Sequence, residues 1–427
     1  MKIILLSLNF APELTGIGKY SGEMADDLVK RGHEVTVVCA PPYYPAWSLQ
    51  PGYRGGRYSV ERPRDGLAVY RCPIWIPRQL GGLQRLLHLT SFALSSLPVL
   101  MRLVLWKPQV VLVVAPALFC APAGWLTARL SGARAWLHVQ DFEIDAAFKL
   151  GLLQRPVLRR CALGLERLLM RSFDTVSTIS RRMMRQFATK GIALQRTELV
   201  PNWVDLSLVR PTETSNALRT SLGVGADQVV CLYSGTINRK QGLGVLIDTA
   251  RRLRHRDDVV FVICGNGEVR PALEASARDL QNVHFLDLQP AAGLNALLNM
   301  ADIHLLPQLR DAADLVMPSK LVGMLASGRP VIAGAVDGTE TASIVNGCGL
   351  VIEPECDASF ADAIERLAGD RELCRQLGAA SRSYAERMLD SQVILQRLSR
   401  RLEALVDGHE ARTVPAVATV SKQSIRT

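Results

Sequence analysis

Short runs of mostly apolar residues recur through the first half of the chain, with helix-like spacing between them. The runs are Ile3–Leu8, Val35–Cys39, Val110–Ala115, Ala135–Val139 and Thr175–Ile179. Strands that are apolar on both faces are typical of a parallel sheet that helices cover on both sides. The pattern therefore predicts a doubly wound α/β domain in this half of the chain.

A second series of the same kind begins near residue 228. Its predicted strands are Val229–Ser234, Val259–Cys264, Val283–Leu286, Ile303–Leu306, Pro330–Ala333 and Leu350–Ile352, and its predicted helices are 243–254, 270–279, 319–327 and 358–367. Two Rossmann-like domains suit 427 residues better than a single core does. The predicted boundaries are an N-terminal domain at 1–205, a C-terminal domain at 206–388, a last helix at 389–408 and a disordered tail at 409–427.

Two stretches interrupt this regular pattern. Residues 43–65 are rich in aromatic residues, proline and glycine, which predicts a long surface loop. Residues 86–101 contain no Asp, Glu, Lys or Arg and are flanked by Arg85 and Arg102. Because this stretch is shorter than the roughly 20 residues that a membrane span needs, two interpretations remain. It is either a buried helix or a helix that lies in a membrane interface with its arginines on lipid phosphates.

The distribution of charge separates the two halves. Residues 1–202 contain 26 Lys and Arg against 13 Asp and Glu, whereas the remaining 225 residues contain 24 against 27. A basic N-terminal half is expected to attract nucleic acid, an acidic ligand or an anionic membrane surface. Nucleic acid is the least favoured of these, because the aromatic residues concentrate in the 43–53 loop, away from the arginine-rich segments.

The nine cysteines form no CxxC motif and no paired framework, and no histidine pair has the spacing of a metal site. The start of the chain has the pattern of a buried strand, not of a signal peptide. We therefore expect reduced thiols, no bound metal and a cytoplasmic protein, with the basic helices at 155–171 and 181–187 favouring contact with a membrane.

A glycine-containing loop, PELTGIGKYSGE, follows the first predicted strand and includes Gly16 and Gly18. Glycines next to the start of a helix let backbone N–H groups approach a phosphate. A nicotinamide dinucleotide site would need GxGxxG and an acidic residue at the end of the second strand, but that strand ends at Cys39. The alternative is a tight turn without a ligand.

Three loops of the second half favour anions at one edge of the predicted sheet. Ligands bind at the carboxyl edge of such sheets, and paired cations or backbone N–H groups there can hold a diphosphate. Each loop has a structural alternative, such as a solvated basic turn, but the three together point to one site. The residues are Arg239 and Lys240 after the first strand, Gly265 and Gly267 after the second, and Ser319 and Lys320 at the start of the 319–327 helix.

The segment LHVQDFEID places His138 and Asp141 at the end of a buried strand. An imidazole and a carboxylate at this position are suited to acid–base work or to positioning a hydroxyl group. The alternative is a helix whose N-terminus Asp141 caps, with Glu143 and Asp145 in its first turn.

Four segments carry a resemblance to a known family: HVQDFEIDAAFKLGLL, VPNWVDL, YSGTINRKQGLG and PSKLVGMLASGRPV. With the two-domain pattern, they resemble the retaining glycosyltransferases of family 4, which have the GT-B fold of two Rossmann-like domains facing each other across a cleft. Within that family, the chain to about residue 408 is similar to the bacterial exopolysaccharide subgroup, to which colanic acid glycosyltransferases belong. The resemblance implies a nucleotide-diphosphate sugar in the cleft, held mainly by the C-terminal domain.

The resemblance also assigns roles to the candidate residues. It implies that Arg239 and Lys240 bind the donor diphosphate and that Gly16 and Gly18 lie beside it. It also implies that the nucleoside lies beside Gly265 and Gly267. The transferred sugar is expected to face His138 and Asp141. The family usually has two glutamates eight positions apart, which fall here on Leu315 and Gly323, with Asp314 alongside. The acid that meets the donor ribose is therefore missing or replaced, and backbone N–H groups at Ser319 and Lys320 are expected to take over part of its role.

These observations predict a metal- and cofactor-independent retaining glycosyltransferase at the inner face of the cytoplasmic membrane. The expected donor is a GDP-sugar such as GDP-fucose, or a UDP-sugar, and the expected acceptor is a lipid-linked saccharide in exopolysaccharide biosynthesis. Two alternatives remain open: a nucleotide-sugar epimerase of the same fold, and a non-catalytic sugar- or nucleic-acid-binding protein. The apolar, basic N-terminal half argues against the epimerase, whose substrate is soluble.

Overall fold

Two parallel sheets, each covered by helices, organise the part of the chain that the structure describes. The structure is a computed structural model, and it describes residues 1–14, 16–77, 81–115, 119–141, 156–213, 217–310 and 319–408. Glu143, Asp145, Asp314, Leu315 and the predicted tail at 409–427 lie outside these ranges.

The first sheet has eight strands in the order β3-β4-β2-β1-β5-β6-β7-β8, and only β3 runs antiparallel to its neighbour. The central strands are buried over most of their length because they carry apolar residues on both faces. The strands are β1 (Lys2–Ser7), β2 (Glu34–Cys39), β3 (Ser59–Arg64), β4 (Leu67–Arg71), β5 (Val110–Ala115), β6 (Arg134–Val139), β7 (Thr175–Thr178) and β8 (Thr197–Leu199).

Five helices in the described residues accompany this sheet. The second of them, α2, packs beside α3. The helices are α1 (Gly16–Lys30), α2 (Gly82–Val104), α3 (Ala121–Ser131), α4 (Pro156–Ser172) and α5 (Arg181–Thr189).

The prediction that residues 43–65 form a surface loop is wrong for its last part. Residues 59–64 form β3, which pairs with β4 in a hairpin that turns at Gly66 (φ 78°). The hydrophobic pattern does not reveal β3, because this edge strand has the sequence SVERPR and is exposed along almost all of its length. Charged residues and proline are common on edge strands, where they discourage pairing with other chains.

The second sheet has six parallel strands in the order β11-β10-β9-β12-β13-β14. The first four predicted strands of this half are confirmed with their boundaries, and the last two are confirmed within one residue. The strands are β9 (Val229–Ser234), β10 (Val259–Cys264), β11 (Val283–Leu286), β12 (Ile303–Leu306), β13 (Val331–Gly334) and β14 (Gly349–Ile352).

The helices of this half that the structure describes include the four that were predicted and several that were not. They are α6 (Ala217–Ser221), α7 (Gly244–Arg252), α8 (Arg270–Ser276), α9 (Leu294–Asn299), α10 (Lys320–Ala326), α11 (Glu340–Val345), α12 (Asp357–Gly369), α13 (Arg371–Met388) and α14 (Ser391–Asp407).

The last helix, α14, returns to the first sheet. Its buried side chains, among them Leu395 and Leu398, belong to the same apolar cluster as Leu28 of α1 and Trp203. Ser399 Oγ also lies 3.0 Å from Nε2 of His33. The end of the chain therefore completes the hydrophobic core of the N-terminal domain.

Helix α2 contains the whole charge-free stretch 86–101, with one face buried and the other exposed. His88, Phe92 and Leu100 are buried, whereas Leu83 and Leu94 on the other face are 69% and 66% exposed. By length and composition alone, α2 is also the one described helix that could cross a membrane. Since one face packs on the sheet and α3, the exposed face is the part available to an outside surface.

Polar contacts join the two domains, in addition to a hydrophobic cluster that includes residues of both. The carboxylate of Glu340 accepts hydrogen bonds from the backbone N–H groups of Arg181 (3.2 Å) and Arg182 (3.1 Å), at the start of α5. The Arg182 guanidinium also donates to the carbonyl oxygen of Gly338 at 2.5 Å. These contacts join the N-terminus of α5 to the start of α11 in the other domain.

Candidate active site

The loops after β1, β2 and β6 of the first domain and after β9, β10 and β12 of the second carry most of the candidate residues. Five side chains in these loops have a buried polar atom without a hydrogen-bond partner among the described residues. They are Asn9 and Glu13 after β1, Asp141 after β6, Asn238 after β9 and Gln308 after β12. Buried polar groups are nearly always paired, so a set of unpaired atoms at the carboxyl edges of both sheets is typical of a ligand site.

Glu13 organises the loop that contains the predicted glycines. Its Oε1 accepts hydrogen bonds of 2.9 Å from the backbone N–H groups of both Tyr43 and Tyr44. Its Oε2 lies against Gly18, where a Cβ atom would come within 2.6 Å of it. The missing side chain of Gly18 therefore makes room for the Glu13 carboxylate. The approach of its backbone N–H group to a phosphate stays a prediction.

Gly16 has a different reason to be glycine. Its φ of 59° lies in the left-handed region, at the first residue of α1. Its Cα faces Tyr44, whose Cε1 would lie 3.7 Å from an added Cβ. Burial raises the pKa of Tyr44, and the nearby carboxyl groups of Glu13 and Asp141 raise it further. Tyr44 therefore lies between the first loop and the end of β6.

Arg71, at the end of β4, holds the β1–α1 loop in place through its buried guanidinium group. The side chain is 2% exposed and donates to the carbonyl oxygen of Ala11 at 2.6 Å. It also forms two hydrogen bonds with the Glu61 carboxylate, at 3.0 and 3.2 Å. This paired, buried guanidinium holds the β1–α1 loop against the end of the sheet.

Asp141 is the acidic group that reaches toward the other domain. Its Oδ1 is buried without a partner, and burial raises the pKa of its carboxyl group to about 7. The charges of Lys240, from the C-terminal domain, and of Arg85, from α2, oppose that rise. The Asp141 carboxyl therefore lies near cations from both sides of the cleft.

Lys240 is affected by the same neighbours. The pKa of its ammonium group is lowered, first by partial desolvation and then by the charge of Arg85, while Asp141 raises it. Arg239 precedes it in the 3₁₀ turn 239–241, where it is exposed. Lys240 and Asp141 thus lie close enough for the charge of each to shift the pKa of the other.

His138 lies in the interior of the first domain, with 1% of its surface exposed. Its Nδ1 is 2.9 Å from Oγ of Ser177, and the Gln140 amide donates to its Nε2 at 3.1 Å. Desolvation lowers the pKa of His138 to about 4, so the ring is neutral near pH 7. The direct contact between His138 and a sugar stays a prediction, because in this structure both ring nitrogens contact protein side chains.

Lys320, at the start of α10, contacts two side chains of its own domain. Its Nζ donates to Oη of Tyr233 at 2.7 Å and to Oε1 of Gln241 at 2.6 Å, and it lies 4.4 Å from the centre of the Tyr233 ring. Desolvation lowers the pKa of Lys320 to about 7. Since Gln241 belongs to the turn that carries Arg239 and Lys240, we interpret Lys320 as a residue that positions this turn.

Gly265 and Gly267 allow two loops to pack backbone to backbone. A Cβ atom on Gly265 would overlap the carbonyl oxygen of Gly235, and one on Gly267 would overlap that of Ile237. The backbone N–H of Gly235 also donates to the carbonyl of Cys264 at 2.9 Å. These glycines hold the loop that leads to Arg239, and their contact with a nucleoside stays a prediction.

The remaining candidates lie around α10. Ser319 is exposed and forms no side-chain cap on this helix, which has seven residues. Gly323 lies inside α10, and an added Cβ would meet Leu298 at an ordinary 3.4 Å. Packing therefore does not require glycine at position 323, where the related family has an acid. Among the described residues, no group of three or more His, Cys, Asp or Glu side chains is placed to hold a metal ion.

The sequence reasoning missed three residues near Asp141: Glu13, Tyr44 and Arg85. Glu13 lies inside the glycine-containing loop, three residues before Gly16, so an acid within a phosphate-type loop was the available signal. Arg85 was noticed only as the flank of the charge-free stretch. Tyr44 gave no signal beyond its aromatic loop, because its position depends on how β2 and β1 pair.

Comparisons with known proteins match both halves of the chain. Residues 15–203 match the glycosyl transferase 4-like domain, and residues 228–370 match the glycosyl transferases group 1 domain. The chain therefore belongs to the glycosyltransferases that combine these two domains, and it is an enzyme of that class. The two Rossmann-like domains, whose carboxyl edges carry the candidate site, are the GT-B architecture.

Among individual proteins, the chain is 42% identical over 407 residues to the colanic acid biosynthesis glycosyl transferase WcaI of Escherichia coli (strain K12), covering 93% of this chain and 98% of that protein. It is 26% identical over 397 residues to the GDP-mannose-dependent alpha-(1-6)-phosphatidylinositol monomannoside mannosyltransferase of Mycobacterium tuberculosis (strain H37Rv), covering 90% and 93%. The structure of sucrose-phosphate synthase from Thermosynechococcus elongatus matches with a TM-score of 0.75 at 17% identity, covering 96% of this chain and all of that one. At that identity, the structural match shows the fold alone.

Proposed function

We propose that this glycosyltransferase moves a sugar, with retention of its anomeric configuration, from a nucleotide-diphosphate sugar to a lipid-linked saccharide. The reaction takes place at the inner face of the cytoplasmic membrane, in exopolysaccharide biosynthesis of the colanic acid type. The similarity to WcaI supports the pathway. No metal ion or organic cofactor takes part in the proposed reaction.

The observation that carries the proposal is that the Asp141 carboxyl group lies close enough to Lys240 of the other domain for their charges to interact. In the proposed reaction, the bond between the sugar's anomeric carbon and the diphosphate oxygen breaks first. Arg239 and Lys240 stabilise the negative charge that develops on the leaving diphosphate. The Asp141 carboxylate faces the positive charge that develops on the sugar. The acceptor hydroxyl then attacks from the side that the diphosphate leaves, and its proton passes to the departing phosphate oxygen.

The donor is proposed to carry guanine or uracil, with GDP-fucose as the first choice. The similarity to a protein named as GDP-mannose-dependent supports a GDP-sugar. Gly323 offers no carboxylate to the donor ribose, so this chain holds the ribose in another way. A thermal-shift screen of GDP- and UDP-sugars identifies the donor, since a specific ligand raises the melting temperature by mass action.

The acceptor side is proposed to rest on an anionic membrane. Two observations support this proposal: the leucines of α2 are exposed, and positions 1–202 contain 26 basic against 13 acidic residues. A surface that is both apolar and cationic suits contact with an anionic membrane. An epimerase that acts on a soluble nucleotide sugar has no use for such a surface. Product analysis with donor alone separates the two reactions, because only an epimerase changes the donor sugar without an acceptor.

The decisive test of the donor role is Lys240→Ala in a transfer assay with the identified donor. Loss of one cation that faces a developing negative charge is expected to lower kcat by about 10²–10³-fold. Lys30→Ala is the matched control, because Lys30 is an exposed lysine in the last turn of α1. Turnover of Lys240→Ala near that of Lys30→Ala would remove Lys240 from the proposed mechanism.

A further inference from the structure

Arg85 is a cation in the first turn of α2 that the mechanism above does not use. Its side chain is exposed, and within the described residues its guanidinium has neither an ion pair nor a hydrogen bond. In contrast, Arg71 and Arg31 of the same domain pair with carboxylates. A planar guanidinium without a partner is suited to bind an anion from outside.

The turn that carries Arg85 is fixed in place by His88, one helical turn further on. Nε2 of His88 lies 2.9 Å from Oη of Tyr43, and Nδ1 lies 2.7 Å from the carbonyl oxygen of Trp75. The His88 ring also packs against Trp47, with 5.3 Å between ring centres. The start of α2 is therefore anchored to the loop that follows β2, which includes Tyr44.

Arg85 also lies near the reacting groups. Its charge acts on Asp141, on Lys240 and on Tyr44. Lys240 belongs to the donor-side domain, whereas Arg85 comes from the domain that is proposed to bind the acceptor. An anion held at Arg85 therefore lies on the acceptor side of the same cleft.

The surface beside Arg85 is apolar. Leu83, Leu86 and Leu87 surround it in sequence and are 69%, 47% and 51% exposed. About two helical turns beyond Leu87, Leu94 is 66% exposed. The helix thus offers a free cation at the cleft and an apolar track beside it, which complements a molecule with a phosphate head and a hydrocarbon chain.

We propose that Arg85 binds the phosphate group that joins the acceptor saccharide to its lipid, and that the exposed leucines of α2 bind the first part of the lipid chain. The proposal rests on the proposed function in one respect, namely that the acceptor is lipid-linked. It commits to the acceptor phosphate and not to the headgroups of the surrounding membrane. Arg85 would then set the distance between the lipid phosphate and the saccharide end that reaches Asp141.

The test measures the preference for a phosphate head, without catalysis. Binding of farnesyl diphosphate and of farnesol is measured by tryptophan fluorescence in micelles of a neutral detergent, with the wild type and three variants. Arg85→Gln removes the charge, and Arg85→Lys keeps a charge without the planar guanidinium. Arg102→Gln is the control for general surface charge on α2, and Arg239→Gln is the control for binding in the donor site.

The wild type is expected to bind farnesyl diphosphate about tenfold or more tightly than farnesol, as a charged hydrogen-bond pair implies. Arg85→Gln should reduce that ratio to near one, Arg85→Lys should restore part of it, and both controls should keep it. Equal binding of the two probes by the wild type would overturn the proposal. So would an unchanged ratio in Arg85→Gln, or an equal loss in either control.

A second measurement separates this proposal from the proposed function. The thermal shift with nucleotide sugars is recorded for Arg85→Gln beside the wild type. A donor shift without any diphosphate preference overturns the role of Arg85 and leaves the transferase proposal standing. A diphosphate preference without any donor shift supports Arg85 and contradicts the proposed donor.

Discussion

The ammonium group of Lys320 donates a 2.6 Å hydrogen bond to Oε1 of Gln241, which ties the start of α10 to the turn next to Lys240. The same ammonium group also donates a hydrogen bond to Oη of Tyr233, and the two bonds together fix the position of the Lys320 side chain. Lys320 thus supports the turn that carries Arg239 and Lys240, and its own contact with the diphosphate stays a prediction. Its effect on catalysis would then be exerted through Lys240.

Replacing Lys320 by methionine should weaken donor binding by releasing this turn. We expect the KM for the donor to rise about tenfold, in keeping with the loss of a hydrogen bond from a charged group. Tyr233→Phe, which removes only one of the two partners, should give a smaller increase. A loss of kcat without a change of KM would instead indicate direct contact between Lys320 and the leaving group.

The stability of the protein should depend on pH through Lys320. Its pKa of about 7 in the folded state lies below the usual 10.5, so between these values the unfolded chain binds a proton that the folded protein lacks. The free energy of unfolding should therefore rise with pH from about 7 toward 10.5. Urea unfolding at pH 6 and pH 9 should show this rise in the wild type and a smaller one in Lys320→Met; parallel curves would contradict it.

The activity should follow the ionisation of Asp141. Its pKa of about 7 means that the carboxylate, the form that can face a cationic sugar, is lost as the pH falls below that value. The free enzyme's kcat/KM should therefore rise up to about pH 7 and level off above it. Asp141→Asn should be slow and should lack this rise, whereas an unchanged profile in the variant would assign the rise to another group.

Asp141 should also make the free energy of unfolding depend on pH, in the opposite direction to Lys320. Between the usual pKa of 3.8 and about 7, the folded protein binds a proton that the unfolded chain lacks. The stabilisation present at low pH is therefore lost as the pH rises through this window. Asp141→Asn should be more stable than the wild type at pH 8 and closer to it at pH 5, which chemical unfolding at both values will measure.

Gly265 should tolerate no side chain, because of both its backbone conformation and its packing. A φ of 146° is strained for any other residue, at about 1–3 kcal/mol, and a Cβ atom would overlap the Gly235 carbonyl. Gly265→Ala should therefore lower the free energy of unfolding by at least about 3 kcal/mol. Gly244→Ala is the matched control, because this exposed helical glycine has open space around it and should gain up to about 1 kcal/mol.

Binding to membranes should depend on the exposed face of α2. The wild type should sediment with anionic liposomes at low salt and be partly released at high salt. The double variant Leu83→Glu/Leu87→Glu should remain largely in solution, since it places two negative charges on this face. Val393→Glu is the control, because it changes an exposed apolar residue on α14, a helix whose buried face packs with α1. This variant should sediment like the wild type. Equal recovery of the wild type with neutral and anionic vesicles would contradict the proposal.

The buried strands were predictable from the sequence, whereas the edge of the sheet was not. Val229–Ser234 and Val259–Cys264 are apolar on both faces, and that pattern has few other interpretations. Ser59–Arg64 has no such pattern, because this edge strand is exposed along almost all of its length and three of its six residues are charged. Its identity as a strand depends on pairing with Leu67–Arg71.

The site was predictable as a set of loops but not in the roles of its members. The sequence places Asp141 and Lys240 after strands, and the structure brings both to the space between the domains. It does not reveal that Lys320 turns toward Gln241, because that contact joins residues 79 positions apart in sequence. Nor does it reveal that Gly18 makes room for Glu13, because that contact depends on the conformation of the β1–α1 loop. Assigning these contacts requires the three-dimensional positions of the loops.

The most direct test of the account follows labelled sugar from the identified donor into the lipid fraction of membranes that contain the acceptor. Wild-type protein should transfer the label with the anomeric configuration of the donor retained. Asp141→Asn should transfer at least about 100-fold more slowly, and Asp174→Asn, on the same domain, should transfer at a rate near the wild type. Near-normal transfer by Asp141→Asn, or an inverted product, would contradict the account.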